Sequence, residues 1–125
     1  MSGLTLDAGG LIAFERNDRR VVALIARSVD LAEPFAIPAG ALAQVWRDGR
    51  AQVRLARLLA SELAVVVPLD DATARAAGQL CGIRNSRDVV DASVVLCAHA
   101  RDNAVVTSDP DDLRRLDPVI RLIAV

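Results

Sequence analysis

The chain has 125 residues, 53% of them hydrophobic and 25% charged, with mean hydropathy +0.33 and a formal net charge of −1. That length makes one domain, residues 1–125, with interior enough for a core, and the hydrophobicity excludes a disordered chain. All 15 basic residues are arginine, which excludes chemistries that need a lysine ammonium, such as the P-loop and the Schiff base. The near-neutral charge means that any nucleic-acid binding has to come from a local arginine patch.

No apolar run approaches the roughly 18–20 residues of a membrane span. The N-terminus enters an apolar strand without a basic leader or signal-peptide core. A cytoplasmic protein with no membrane association is expected. Cys81 and Cys97 stand sixteen residues apart, outside any CxxC or Cys/His cluster, so they read as reduced, buried small hydrophobes. His99 is the single histidine and cannot anchor a transition-metal site alone.

In chain order, residues 3–7 predict a short buried strand, and Ala8-Gly9-Gly10 a turn that feeds a helix. Helices are expected over 11–15 and 19–29, with Val22, Ile25 and Val29 at helical spacing. Phe35-Ala36-Ile37-Pro38 reads as a second strand, followed by a helix over about 39–47 and a break at Asp48-Gly49. An amphipathic helix over 50–63 carries Leu55, Leu58 and Leu59 on one side and Arg50, Arg54 and Arg57 on another. The third strand is 64–69. A helix over 75–81 follows acids at Asp70 and Asp71, with Gly82 as its C-cap. The polar segment Asn85-Ser86-Arg87-Asp88 precedes a helix over 89–101. A fourth strand over 104–108, a short helix over 111–116 and a final strand over 119–125 complete the chain. Short apolar strands alternating with helices predict an α/β fold: a three-layer α/β/α sandwich around a mainly parallel sheet of four to five strands.

The acids stand at informative points. Asp7 ends the first strand and Asp109 the fourth. In a parallel sheet the carboxyl ends of neighbouring strands face one crevice, so the two carboxylates converge if those strands are adjacent. Asp91 sits in the first turn of the 89–101 helix. Asp88, three residues earlier, can be either the N-cap or a ligand. Asp111 and Asp112 open the last short helix, where acids are ordinary. Asp7, beside two glycines, has no evident local task. Clustered carboxylates repel one another unless protons or a cation neutralise them, and Mg²⁺ or Mn²⁺ suits all-oxygen ligands.

Three stretches, Leu4–Ala13, Asp88–Val95 and Val105–Leu113, resemble the successive motifs of PIN domains, most closely the VapC-like toxins of type II toxin–antitoxin pairs. The resemblance spans nearly the whole chain and implies an endoribonuclease whose acids hold one or two Mg²⁺ or Mn²⁺ ions. It makes Asp7, Asp91 and Asp109 the catalytic and metal-binding acids, with Asp112 and Asp88 as further candidate ligands. The cation would activate water and offset charge on an RNA phosphodiester. Arg47, Arg50, Arg54 and Arg57 form a candidate grip on backbone phosphates. A cognate antitoxin and a homodimer are expected by the same similarity.

One position departs from the family. A glutamate is usual in the helix after the second strand, and here that position is Gln44. Glutamine keeps an acceptor oxygen but loses the charge, so it can orient water without acting as a base. Glu15 and Asp48 are more remote substitutes. The alternative function is therefore a catalytically weak PIN-like module that binds RNA or a partner. A phosphoaspartyl enzyme is disfavoured by the missing lysine and by Gly9 two residues after Asp7. Only Phe14, Phe35 and Trp46 are aromatic, so an aromatic platform for single-stranded bases is not expected.

Overall fold

The computed structural model describes residues 3–125; Met1 and Ser2 lie outside the described residues. The chain runs β1 (Leu4–Leu6), α1 (Ala8–Glu15), α2 (Arg19–Asp30), β2 (Phe35–Pro38), α3 (Ala39–Val45), α4 (Val53–Ala60), β3 (Ala64–Val67), α5 (Asp71–Arg84), α6 (Val89–Arg101), β4 (Ala104–Thr107), α7 (Pro110–Leu116) and β5 (Leu122–Ala124). The five strands form one sheet, ordered β3-β2-β1-β4-β5, and every pairing is parallel. After β1 the chain builds outward through β2 and β3, then returns to β1's other edge with β4. The switch point of the sheet therefore lies between β1 and β4, which is where α/β sheets open a crevice.

The period-2 alternation of the strands sorts the core into two halves. Leu4, Leu6, Phe35, Ile37 and Val106 point to one face and pack with Leu11, Val21, Ile25, Leu55 and Leu58 from α1, α2 and α4. Val105 points to the other face, among Ala77 and Cys81 of α5, Ala92, Val94 and Val95 of α6, and Leu113 and Leu116 of α7. Helices thus cover both faces and complete the three-layer α/β/α sandwich. Thr5 is fully buried on the second face, where its hydroxyl accepts from Asn103 Nδ2 at 3.0 Å, so its burial leaves no unmet hydrogen bond. Both cysteines are free and buried.

Several boundaries differ from the sequence expectation, each for a local reason. The Gly-Gly pair is helical, because the carboxylate of Asp7 caps α1 directly by accepting from Gly10 N at 2.8 Å. Gly82 lies inside α5, and the helix ends at Asn85, which takes the left-handed conformation at φ 54°; asparagine can supply this cap as glycine does. The helix expected from Arg50 starts only at Val53. Gln52 forms the intervening turn, its Oε1 accepting from the amides of Arg47 at 2.7 Å and Asp48 at 2.9 Å. Among the described residues, no helix is long and apolar enough to cross a membrane.

Candidate active site

Because β1 and β4 are hydrogen-bonded neighbours with Leu6 opposite Val106, Asp7 and Thr107 occupy the next step along the two strands. The Asp7 amide reaches Val106 O at 3.4 Å. Alternation directs both side chains to the α6 face. Asp7 is buried, and its carboxylate accepts hydrogen bonds from the Thr107 hydroxyl and the Gly10 amide. Burial pushes its pKa above the ordinary value despite these bonds, and the charge of Asp109 adds to the rise.

Asp109 is the N-cap residue of α7, and its amide donates to Thr107 Oγ1 at 2.9 Å. Thr107 therefore touches both strand-end acids. The first turn of α1 comes equally close to β4. A Cβ on Gly10 would lie 2.5 Å from Val106 O, and one on Gly9 would lie 2.1 Å from Ser108 Oγ. The two glycines let helix and strand end meet without side chains between them.

From the opposite side, α6 supplies Asp91. Asp88 is the N-cap of α6, its Oδ1 accepting from Asp91 N at 2.9 Å, so its capping role is plain. Asp91 is pushed up to about 7, first by burial and then by Asp88, with Asp7 and Asp112 contributing further repulsion. The electrostatic contacts thus link Asp7 with Asp109, and Asp91 with Asp88, Asp7 and Asp112. Asp7 and Asp109 come within electrostatic reach of each other, and Asp7 also has the capping task that the sequence did not reveal.

The remaining candidates are placed differently. Gln44 is exposed near the end of α3. It stands one turn beyond Gly40, where a Cβ would meet Val90 and Ser93 of α6 at 3.5–3.8 Å, so it shares the helix face that adjoins α6. Glu15 closes α1 at the end remote from Asp7, about 12 Å along the axis, and Asp48 is used by its own turn, accepting from Arg50 N at 2.9 Å. The four arginines do not make a helical stripe. Arg47 and Arg50 precede α4, Arg47 Nη1 donates to Trp46 O at 2.7 Å and Ala43 O at 3.2 Å, and Arg54 donates to Asn17 Oδ1 at 3.0 Å, beyond the far end of α1.

Sequence reasoning missed Thr107, hidden as the last residue of an apolar strand. It also missed a cavity of about 300 Å³ in which Asp88, Asp91 and Asp112 are joined by Arg84, Arg87 and Arg115. No sequence spacing relates Arg115 on α7 to the α5–α6 connection. A larger, mostly apolar cavity of about 640 Å³ lies between α3, α5 and α6, and none of the acids lines it.

Among the described residues, no three acidic, histidine or cysteine side chains are already grouped as a metal cage. The donor chemistry nevertheless fits a hard divalent cation. All the candidate ligands are carboxylate oxygens, and the burial and the neighbouring carboxylates that together push Asp91 up to about 7 penalise a negative charge that such a cation would offset.

The comparisons with known proteins bear on the fold and the family. The model of the PIN domain matches residues 5–118. No curated protein matches the sequence. Among solved structures, a chain in VapBC2 from Rickettsia felis, bound to a DNA fragment from their promoter, superposes with a TM-score of 0.71 at 13% identity, covering 98% of each chain. FitAcB from Neisseria gonorrhoeae gives 0.63 at 18% identity over 96% of each chain. FitAB bound to the IR36 DNA fragment gives 0.63 at 16% identity, covering 97% of this chain and 94% of the other. A parallel sheet with acids gathered at its switch point, matched from strand β1 through α7, places the chain in a class of α/β proteins whose members are generally nucleases. The chain belongs to the PIN-domain family.

Proposed function

We propose that the chain is a Mg²⁺- or Mn²⁺-dependent endoribonuclease and the toxin of a type II toxin–antitoxin pair. The observation that supports this reading is geometric: Asp7 and Asp109 follow the carboxyl ends of the neighbouring strands β1 and β4, and Asp91 of α6 lies within electrostatic reach of Asp7, Asp88 and Asp112. Asp7, Asp91 and Asp109 would hold the cation, Asp112 would add charge from α7, and Asp88 would contribute the oxygen that its capping bond leaves over. When bound, the ion supplies a positive charge at the phosphate and activates water. Thr107 keeps Asp7 and Asp109 in place, and the Gly10 amide fixes one Asp7 oxygen. Gln44 orients water at the α3 side without serving as a base. Arg50 and Arg57 remain candidates for outlying phosphate contacts, while Arg47 and Arg54 are held by other groups.

By likeness to chains found in VapBC2 and FitAB, we assign the chain a cognate antitoxin; a homodimeric state and a cytoplasmic setting are proposed from the family resemblance of its motifs. The deciding experiment is incubation of total cellular RNA with the purified protein in Mg²⁺, Mn²⁺ or EDTA, beside Asp7→Asn. The reading predicts discrete fragments that require metal and disappear with Asp7→Asn. Intact RNA in both metals, from a folded sample, would refute it. Gln44, in place of an acid, favours a second reading: a PIN module that binds RNA or a partner with little cleavage. Binding of RNA without fragmentation would select that reading.

A further inference from the structure

The cavity at the α5–α6 connection carries more than acids. Arg84 is the last residue of α5, and Arg87 immediately precedes the N-cap of α6. The turn between them is tied down at both ends. Ser86 N donates to Cys81 O at 2.9 Å, and Ser86 Oγ accepts from Asp88 N at 3.1 Å. Arg115 comes from α7, one turn after Asp112 and on the same helix face. All three arginines line one cavity with Asp88, Asp91 and Asp112.

Their charges are not spent on neighbours. Arg114, next to Arg115, pairs with Asp111 at 3.4 Å, and Arg75 on α5 pairs with Asp71 at 2.8 Å. Among the described residues, no ion pair or hydrogen bond engages the side chains of Arg84, Arg87 or Arg115. Three exposed guanidinium groups therefore ring a cavity of about 300 Å³, at the lower end of the range for ligand pockets. A polyanion approaching the carboxylates alone would be repelled. Three unpaired guanidinium groups beside three aspartates offer a polyanion attraction at the edge of that charge and present forked donors that match phosphate oxygens.

We propose that Arg84, Arg87 and Arg115 form the phosphate-binding rim of the site, gripping the backbone of an RNA strand beside the acidic crevice. This rests on the nuclease reading and moves the main phosphate grip from the α4 region to the α5–α6 turn and α7.

The test is binding of a short fluorescein-labelled single-stranded RNA, followed by fluorescence anisotropy in Mg²⁺ across a salt series. An Asp7→Asn background prevents cleavage and keeps a capping side chain. The single variants Arg84→Gln, Arg87→Gln and Arg115→Gln, and the triple variant, are compared with Arg75→Gln. Each phosphate contact on a single strand contributes about 0.7 to the slope of log affinity against log salt. The triple variant should therefore lose about 2 from that slope and bind at least tenfold more weakly, each single variant should lose a part of this, and Arg75→Gln should match the parent. Folded triple and single variants that keep the parent's affinity and slope would overturn the rim while leaving the nuclease reading intact. A folded parent that binds no RNA at all would overturn that reading, and the rim with it.

Discussion

The hydroxyl of Thr107 is hydrogen-bonded to the carboxylate of Asp7, and the same oxygen accepts the Asp109 amide at 2.9 Å. One side chain at the end of β4 thereby ties the acid of β1 to the acid that opens α7. Thr107 is fully buried, so removing its oxygen takes one hydrogen bond from a buried carboxylate and leaves the Asp109 amide without this acceptor. Thr107→Val should cost about 1–3 kcal/mol of stability, read by urea denaturation, and should lower RNA cleavage about tenfold or more. Thr107→Ser keeps the oxygen and should restore most of both. Equal behaviour of the Val and Ser variants would show that the hydroxyl is not what matters.

Gly10 makes a second prediction at the same junction. A methyl group there would meet the Val106 carbonyl oxygen at 2.5 Å, and that oxygen belongs to the strand backbone and cannot swing aside. Gly10→Ala should push α1 away from β4, destabilising the fold by about 1–3 kcal/mol and weakening metal binding by separating Asp7 from Asp109. Gly78→Ala is the fitting control, because nothing lies within 4 Å of its added methyl; inside α5 it should be neutral or stabilising. A thermal-melt comparison of the two variants decides the matter.

These two contacts show where the sequence was legible. The apolar runs of β1, β2 and β4, and the acids that follow β1 and β4, were readable, because strand period and cap chemistry are local properties. The convergence of Asp7 and Asp109 depended on β1 and β4 being neighbours, which only the sheet order β3-β2-β1-β4-β5 supplies. The arginines around α4 misled because Gln52 bends the chain into a turn, with its Nε2 donating to Val45 O at 2.9 Å. A side chain closing a turn onto backbone groups four to seven residues back leaves no periodic signal. Arg115 joins Arg84 and Arg87 through packing of α7 beside α6, a long-range contact that spacing does not encode.

Gln44 carries the third prediction. It lies on the α3 face that adjoins α6, yet it brings no charge to a site of otherwise anionic ligands. Gln44→Glu should tighten Mn²⁺ binding, measured by titration calorimetry, by about tenfold, the equivalent of about 1.4 kcal/mol, and should raise cleavage alongside. Without the cation the added charge should destabilise the protein slightly. Unchanged Mn²⁺ affinity would place Gln44 outside the reach of the ion.

Asp91 ties pH to metal binding. Its folded-state pKa is raised from 3.8 to about 7, with burial the largest cause and Asp88 the next. The folded protein therefore holds a proton between about pH 4 and 7 that the unfolded chain releases. The resulting stability is fully present below the lower value and is lost as pH rises through about 7. In EDTA the protein should accordingly weaken from pH 5 to pH 8, by an amount on the order of 1–2 kcal/mol after allowance for solvent screening of a half-buried group. Asp91→Asn carries no charge to release, so it should flatten this profile and melt higher than the parent at pH 8 in EDTA. A divalent cation competes with the same proton, so Mg²⁺ should raise the parent's melting temperature more at pH 8 than at pH 5, with a much smaller effect in Asp91→Asn. A parent whose melting temperature in EDTA is as high at pH 8 as at pH 5 would remove Asp91 as the proton-linked group, and an equal response of parent and variant to Mg²⁺ would remove it from the cation site.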